Sequence, residues 1–158
     1  MTRLADAPHR TVVLMLPAMR AVFAMSTAAL SVAHGSRKKV IADYRDALIL
    51  DRDGTVRRFD RIDFAGPVGD TGFARFVNRF LTKTMRIVVT LSEPLPLSTA
   101  ELRSMLATCM VDGSDFIDPD PDPDATRQRM AAIAAAPDKR AIFQACGLPP
   151  PEDALDVL

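Results

Sequence analysis

The stretch VIADYRDALILDRDGTVRRFDRIDF, residues 40–64, decides the reading of the fold. Two β-type runs, residues 40–50 and 55–64, flank Asp51-Arg52-Asp53-Gly54. Asp-Gly between apolar runs signals a hairpin, because Gly supplies the positive φ that a tight turn requires. The spacing predicts an antiparallel hairpin. Its second run carries Arg57, Arg58, Asp60, Arg61 and Asp63, so at least one face meets water and an edge or outer strand is expected. Gly66, Pro67 and Gly69 then mark a loop.

Downstream, Phe73, Phe76, Val77, Phe80 and Leu81 recur at i, i+3, i+4, i+7 and i+8, which predicts a helix over 71–83 with its apolar stripe in the core. Arg75, Arg79 and Lys83 form a second stripe on the opposite side. Residues 85–91 read as a strand with Ile87, Val89 and Leu91 on its drier face. Ser98 and Glu101 form a capping box that opens a helix over 99–111, with Leu102, Met105, Leu106 and Cys109 facing inward. The alternation of Asp and Pro over 118–124 reads as a semi-rigid acidic linker, since each Pro lacks an N–H and holds its predecessor extended. The same extension argues against a calcium loop at those aspartates. Short helices over 125–135 and 138–146 follow, with Gly147 as terminator and 148–158 as a tail.

The pattern predicts an α+β fold: a small, mostly antiparallel sheet (hairpin 40–64 plus strand 85–91) packed against helices 71–83 and 99–111, with short C-terminal helices. The core unit is expected over 40–117 and the C-terminal helices over 125–147. Residues 1–39 form an apolar N-terminal segment. A helix from about Pro17 to Ala33 is preferred there, with Pro at its first position and Gly35 just past its end. Leu16, Met19, Val22, Phe23, Met25 and Leu30 would nearly encircle it, so a second copy of the chain or another protein is expected to cover part of it, and a homodimer follows. A strand over 20–27 is an alternative, as is a secretory signal cleaved near Ala33 after a positive region of Arg3, Arg10 and Arg20. The longest uncharged run, 21–34, is too short to span a bilayer.

The chain has 158 residues, 48% of them hydrophobic and 25% charged, which suits one globular domain and excludes collagen-like or wholly disordered classes. Its net charge is zero, but residues 1–86 carry 15 Lys and Arg against 8 Asp and Glu, and residues 87–158 carry 5 against 12. Cys109 and Cys146 are too few for a disulfide framework, and a reducing, cytoplasmic setting is expected. With His9 and His34 as the only histidines and no ligand-pair spacing, neither a metal site nor a cofactor is expected.

One stretch carries a chemical motif. Residues 47–56, ALILDRDGTV, resemble the first motif of haloacid-dehalogenase-type phosphotransferases, in which an apolar strand ends in Asp-x-Asp-Gly-Thr. The resemblance implies Asp51 as phosphoryl acceptor and Asp53 as general acid/base, with Mg²⁺ between carboxylate and phosphate. Thr90, after the apolar run 87–89, would stand for the family's second motif. The chain departs from the pattern further on. Lys139 is its one lysine after Thr90, and Glu152-Asp153 follows a Pro-rich run rather than a core strand. A hairpin turn accounts for Asp-Arg-Asp-Gly without chemistry.

Arg57, Arg58, Arg61, Arg75, Arg79, Lys83 and Arg86 could form one basic surface for phosphates, with Arg75, Arg79 and Lys83 as its binding residues. With the Phe residues of the helix on its buried side, no aromatics would be interleaved for base stacking, and nucleic acid is disfavoured. The sequence therefore reads as a protein-interaction or structural module without catalytic activity. Nucleic-acid binding and a degenerate Mg²⁺-dependent phosphotransferase are the alternatives.

Overall fold

A computed structural model describes residues 2–4, 10–109 and 123–146. The linker over 118–122, Gly147 and the tail lie outside the described residues. The fold is α+β: an antiparallel seven-stranded sheet with five helices. The strands are β1 (Thr2–Arg3), β2 (Thr11–Leu16), β3 (Ala21–Ser26), β4 (Val32–His34), β5 (Leu48–Leu50), β6 (Val56–Pro67) and β7 (Thr84–Leu91). The helices are α1 (Arg37–Asp43), α2 (Gly72–Phe80), α3 (Thr99–Cys109), α4 (Pro123–Ala135) and α5 (Lys139–Ala145).

The sheet order is β1-β7-β6-β5-β2-β3, and β4 also pairs with β7. A 3-10 turn, Ala29–Ser31, carries the chain from β3 at one end of this order to β4 at the other, so the sheet curls toward closure. The long β6 makes that curl possible. Its first residues pair with β5 (Leu50↔Val56) and the rest with β7, through register shifts between Phe59 and Arg61 and between Phe64 and Gly66. Such bulges bend and twist a strand.

Two apolar clusters lie on opposite sides of β2 and β5, as the two-residue period of a strand dictates. Val12, Leu14, Leu16 and Ile49 join Leu30, Val40, Phe59, Ile87, Val89 and Leu91 inside the curl. Val13, Met15, Leu48 and Leu50 pack beneath Leu102 and Leu106 of α3, Ile133 of α4, and Ile142 and Phe143 of α5. Tyr44, just past α1, stacks on Phe59 with ring centroids 5.7 Å apart.

The hairpin across Asp51–Gly54, the strand ending at Leu91 and the helix beginning at Thr99 stand as expected. The box that opens α3 is reciprocal: Ser98 N–H donates to Glu101 Oε2 (2.7 Å) and Glu101 N–H to Ser98 Oγ (3.2 Å). Helices α4 and α5 replace the expected 125–135 and 138–146 with shifted ends.

Other expectations are corrected. The segment 17–33 is not a helix. Two six-residue apolar strands, β2 and β3, pair across Pro17–Arg20, where Met19 N–H donates to Leu16 O (3.1 Å) and Arg20 takes φ 51. Val22, expected at a dimer surface, is fully buried within the chain's own core. Gly35, at φ 113, leads into α1 rather than ending a helix. Residues 40–43 are helical, capped by Ser36 Oγ accepting from Lys39 N–H, and the strand begins only at Leu48. β6, by contrast, is interior to the sheet order, but only residues 56–58 pair with β5, and the stretch with Arg61 and Asp63 pairs with β7 alone, as an outer strand would.

Candidate functional site

Helix α2 lies in the connection between β6 and β7. Thr71 caps it, its Oγ1 accepting from Ala74 N–H at 3.1 Å. The expected apolar stripe is present, but the expectation that it faces the core is overturned. Phe73 is 79% exposed, Phe76 55%, Phe80 57% and Leu81 73%. The helix turns Ala74, Val77 and Asn78 toward the body instead. The approach is close: a Cβ on Gly69 would stand 2.8 Å from that of Ala74. The curled sheet is filled from its own strands, so the rings have nothing to pack against.

Polar contacts anchor this helix. Asn78 Nδ2 donates to Val68 O, and Thr82 Oγ1 donates to Asn78 Oδ1 at 3.0 Å. With its one proton so used, Thr82 accepts from the Thr84 hydroxyl (2.9 Å), and Thr84 in turn accepts from His34 Nδ1–H (3.0 Å). A chain of hydrogen bonds thus runs from β4 through β7 to α2.

The basic residues divide into two groups. Arg57 donates to Ser92 O (3.1 Å), Arg58 pairs with Asp60 (3.6 Å) and Arg61 with Asp63 (2.8 Å), so these three are engaged along β6. Arg75 and Arg79 are exposed on α2 beside the Phe rings, with Arg75 Nε donating to Gly69 O at 3.0 Å. Arg79 stands over the Phe80 ring at 5.4 Å, and Phe76 and Phe80 have centroids 5.0 Å apart at 46°. Lys83 is not on the helix but in the following turn, at φ 50, with its carbonyl accepting from Gly35 N–H (3.0 Å). That bond brings the first turn of α1, with Arg37, Lys38 and Lys39, beside the end of α2 near Arg86. From Thr71 to Ser92 the chain holds four cations and no acidic residue.

Asp51 and Asp53 sit elsewhere, in the turn between β5 and β6. Gly54 N–H donates to Asp51 O (2.9 Å), Asp51 N–H to Thr55 O (2.9 Å) and Thr55 N–H to Asp53 Oδ1 (2.8 Å). The last bond is the main reason that the Asp53 carboxyl lies below its ordinary range. Helix α5 covers the turn, with Arg140 Nε donating to Asp53 O at 3.1 Å. Asp51 is nearly buried against Arg10: Nη2 donates to Oδ2 at 3.1 Å, and Nε stands 2.8 Å from Oδ1 as an ionic contact. Burial dominates and pushes the Asp51 carboxyl above its ordinary range despite the guanidinium.

Thr90 is not brought to this turn by a neighbouring strand. It pairs with Arg3 and Arg61, and β6 separates β7 from β5. The phosphotransferase resemblance implies adjacent parallel strands, whereas β5 and β7 are kept apart by β6, which is antiparallel to both. Among the described residues no group of three or more His, Cys, Asp or Glu could hold a metal ion. A cavity of about 20 Å³, lined by Leu4, Thr27, Leu30, Ile87 and Val89, has room for about one water.

Sequence reasoning identified α2 and its two stripes and placed the Arg stripe in solvent correctly, but wrongly buried the Phe stripe. The exposure of its rings had no sequence signal, since amphipathicity marks a face without saying what covers it. No protein-family model, curated protein or solved structure matches this chain.

Proposed function

We propose that this chain is an interaction module that works by contact rather than by chemistry, with α2 as its contact element. The observation that carries the reading is the exposure of Phe73, Phe76, Phe80 and Leu81 together on one short helix. Scattered apolar residues on a surface need no explanation, but a contiguous group of large ones marks a docking site.

The antiparallel turn at Asp51 and Asp53 supports a structural role for both carboxylates. A cytoplasmic setting is supported by Cys109 and Cys146, which are buried and not joined in a disulfide. Cleavage near Ala33 would remove β2 and β3, whose Val12, Val13, Met15 and Val22 are fully buried, so the secreted alternative loses support. No helix among the described residues is long and apolar enough to cross a membrane.

Urea unfolding tests the reading. Replacing Phe73, Phe76 and Phe80 by Ser should change stability by about 1 kcal/mol or less, against about 3 to 5 kcal/mol for even one truncated core Phe. A loss of core size would mean that the rings hold the fold together, and the reading would fall. Nucleic acid is a second reading, favoured by one observation: exposed rings now stand beside Arg75 and Arg79, which removes the ground on which it was disfavoured.

A further inference from the structure

Resting on that reading, we propose that α2 docks the chain on the surface of an anionic bilayer, with Phe73, Phe76, Phe80 and Leu81 entering the interface and Arg75, Arg79, Lys83 and Arg86 meeting lipid phosphates. Three observations select this occupant.

The first is charge. Four cations and no acid lie between Thr71 and Ser92, and the Gly35–Lys83 hydrogen bond sets Arg37, Lys38 and Lys39 alongside. The acids that flank the stretch are Asp70, just before the helix, and Glu93, just after Ser92, while Asp43 of α1 is paired with Lys39. A second copy of this face would set like charges against like. An anionic surface complements them in any orientation, and a helix with rings and Arg on adjoining exposed faces is suited to lie in the headgroup plane.

The second is area. A helix of nine residues offers a strip about 13 Å long and about 10 Å wide. Against a protein, so short a strip would supply only part of the roughly 800 Å² of accessible surface that each partner contributes to a stable interface. A bilayer has no such minimum, because lipid closes around a convex helix without a preformed groove.

The third is ring geometry. Base stacking needs open aromatic faces. The Phe80 ring has the Arg79 guanidinium over it and Phe76 tilted at 46° beside it, which leaves less open face for a base. Entry into acyl chains needs only apolar surface.

The test is co-sedimentation of the full chain with vesicles of phosphatidylcholine alone and with vesicles containing about a third phosphatidylglycerol. The expected result is at least about tenfold stronger partition onto the anionic vesicles, weakened as salt rises from about 0.1 M to about 0.5 M. Phe76→Ser with Phe80→Ser, and separately Arg75→Glu with Arg79→Glu, should each reduce it about tenfold or more while circular dichroism shows the native fold. Equal partition onto both vesicles, or none, overturns the lipid assignment. So does salt-resistant binding of a single-stranded oligonucleotide that Arg75→Glu with Arg79→Glu abolishes. Either outcome leaves the contact reading standing if the Phe variants keep their urea stability. A core-sized loss of stability in those variants overturns both.

Discussion

The Thr82 hydroxyl donates to Asn78 Oδ1 at 3.0 Å, joining the inner face of α2 to the chain that leads into β7. Asn78 is the hinge of that arrangement, because its amide also donates to Val68 O. Asn78→Ala removes both partners and strands a carbonyl. It should weaken the local hold on α2 by about 1 to 3 kcal/mol. Hydrogen exchange would read this as faster exchange of the amides of α2, with those of β2 and β5 unchanged. Uniform loss of protection across the chain would show that α2 is part of the global folding unit.

Asp51 supplies a pH test. Its carboxyl is held above the ordinary range mainly by burial, against the pull of Arg10. An acid with a higher pKa folded than unfolded binds more protons in the fold between the two values. Its contribution is therefore fully present below the unfolded value and is lost as pH rises through the folded one. Asp51→Asn cannot ionise, so it should remove that decline from urea unfolding measured upward from about pH 4. Its stability at neutral pH should stay within about 1 kcal/mol of the parent, because the partner Arg10 keeps access to water. A variant that falls further below the parent as pH rises would show the ionised pair to be stabilising. Turnover of an aryl phosphate with Mg²⁺, abolished by the same substitution, would restore the phosphotransferase reading.

Gly54 closes the same turn at φ +87, and a Cβ there would meet Lys139 Cβ at 3.1 Å and Arg140 N at 3.4 Å. Gly54→Ala combines backbone strain with pressure on α5 and should cost about 1 to 3 kcal/mol. Gly66, with φ 112 but nothing within 4 Å of its added Cβ, isolates the strain alone and should cost less on substitution. Equal losses at the two positions would remove the contact with α5 from the account.

Val22 separates two views of the N-terminal segment. A helix docked on a second copy would let Val22→Asp dissociate a dimer and leave a folded monomer. Fully buried in β3, the same change places an unpaired carboxylate in the core and should destabilise by about 3 kcal/mol or more. Urea unfolding together with light scattering distinguishes the two outcomes. A stable folded monomer would contradict the burial.

Local chemistry was enough wherever one short stretch contained the whole decision. Asp53-Gly54 sets its hairpin because positive φ suits Gly. Ser98 and Glu101 start α3 because each satisfies the other's free amide. The alternation through Ile87, Val89 and Leu91 marks a strand with one dry face, since its period is two. Three features depended on residues far apart in sequence. Residues 11–26 contain strands because β2 finds β5 (Val13↔Leu50, Met15↔Leu48), a pairing that no window around Pro17 contains. β6 joins the two halves of the sheet because β5 meets its first residues and β7 the rest. The rings of α2 are exposed because the space they would fill is already occupied by Leu14, Ile49, Phe59 and Leu91. The sequence by itself determined where elements turn, cap and alternate, since those choices are made between near neighbours. Which apolar faces were covered was decided only by the tertiary structure, because burial depends on how much interior the rest of the chain leaves unfilled.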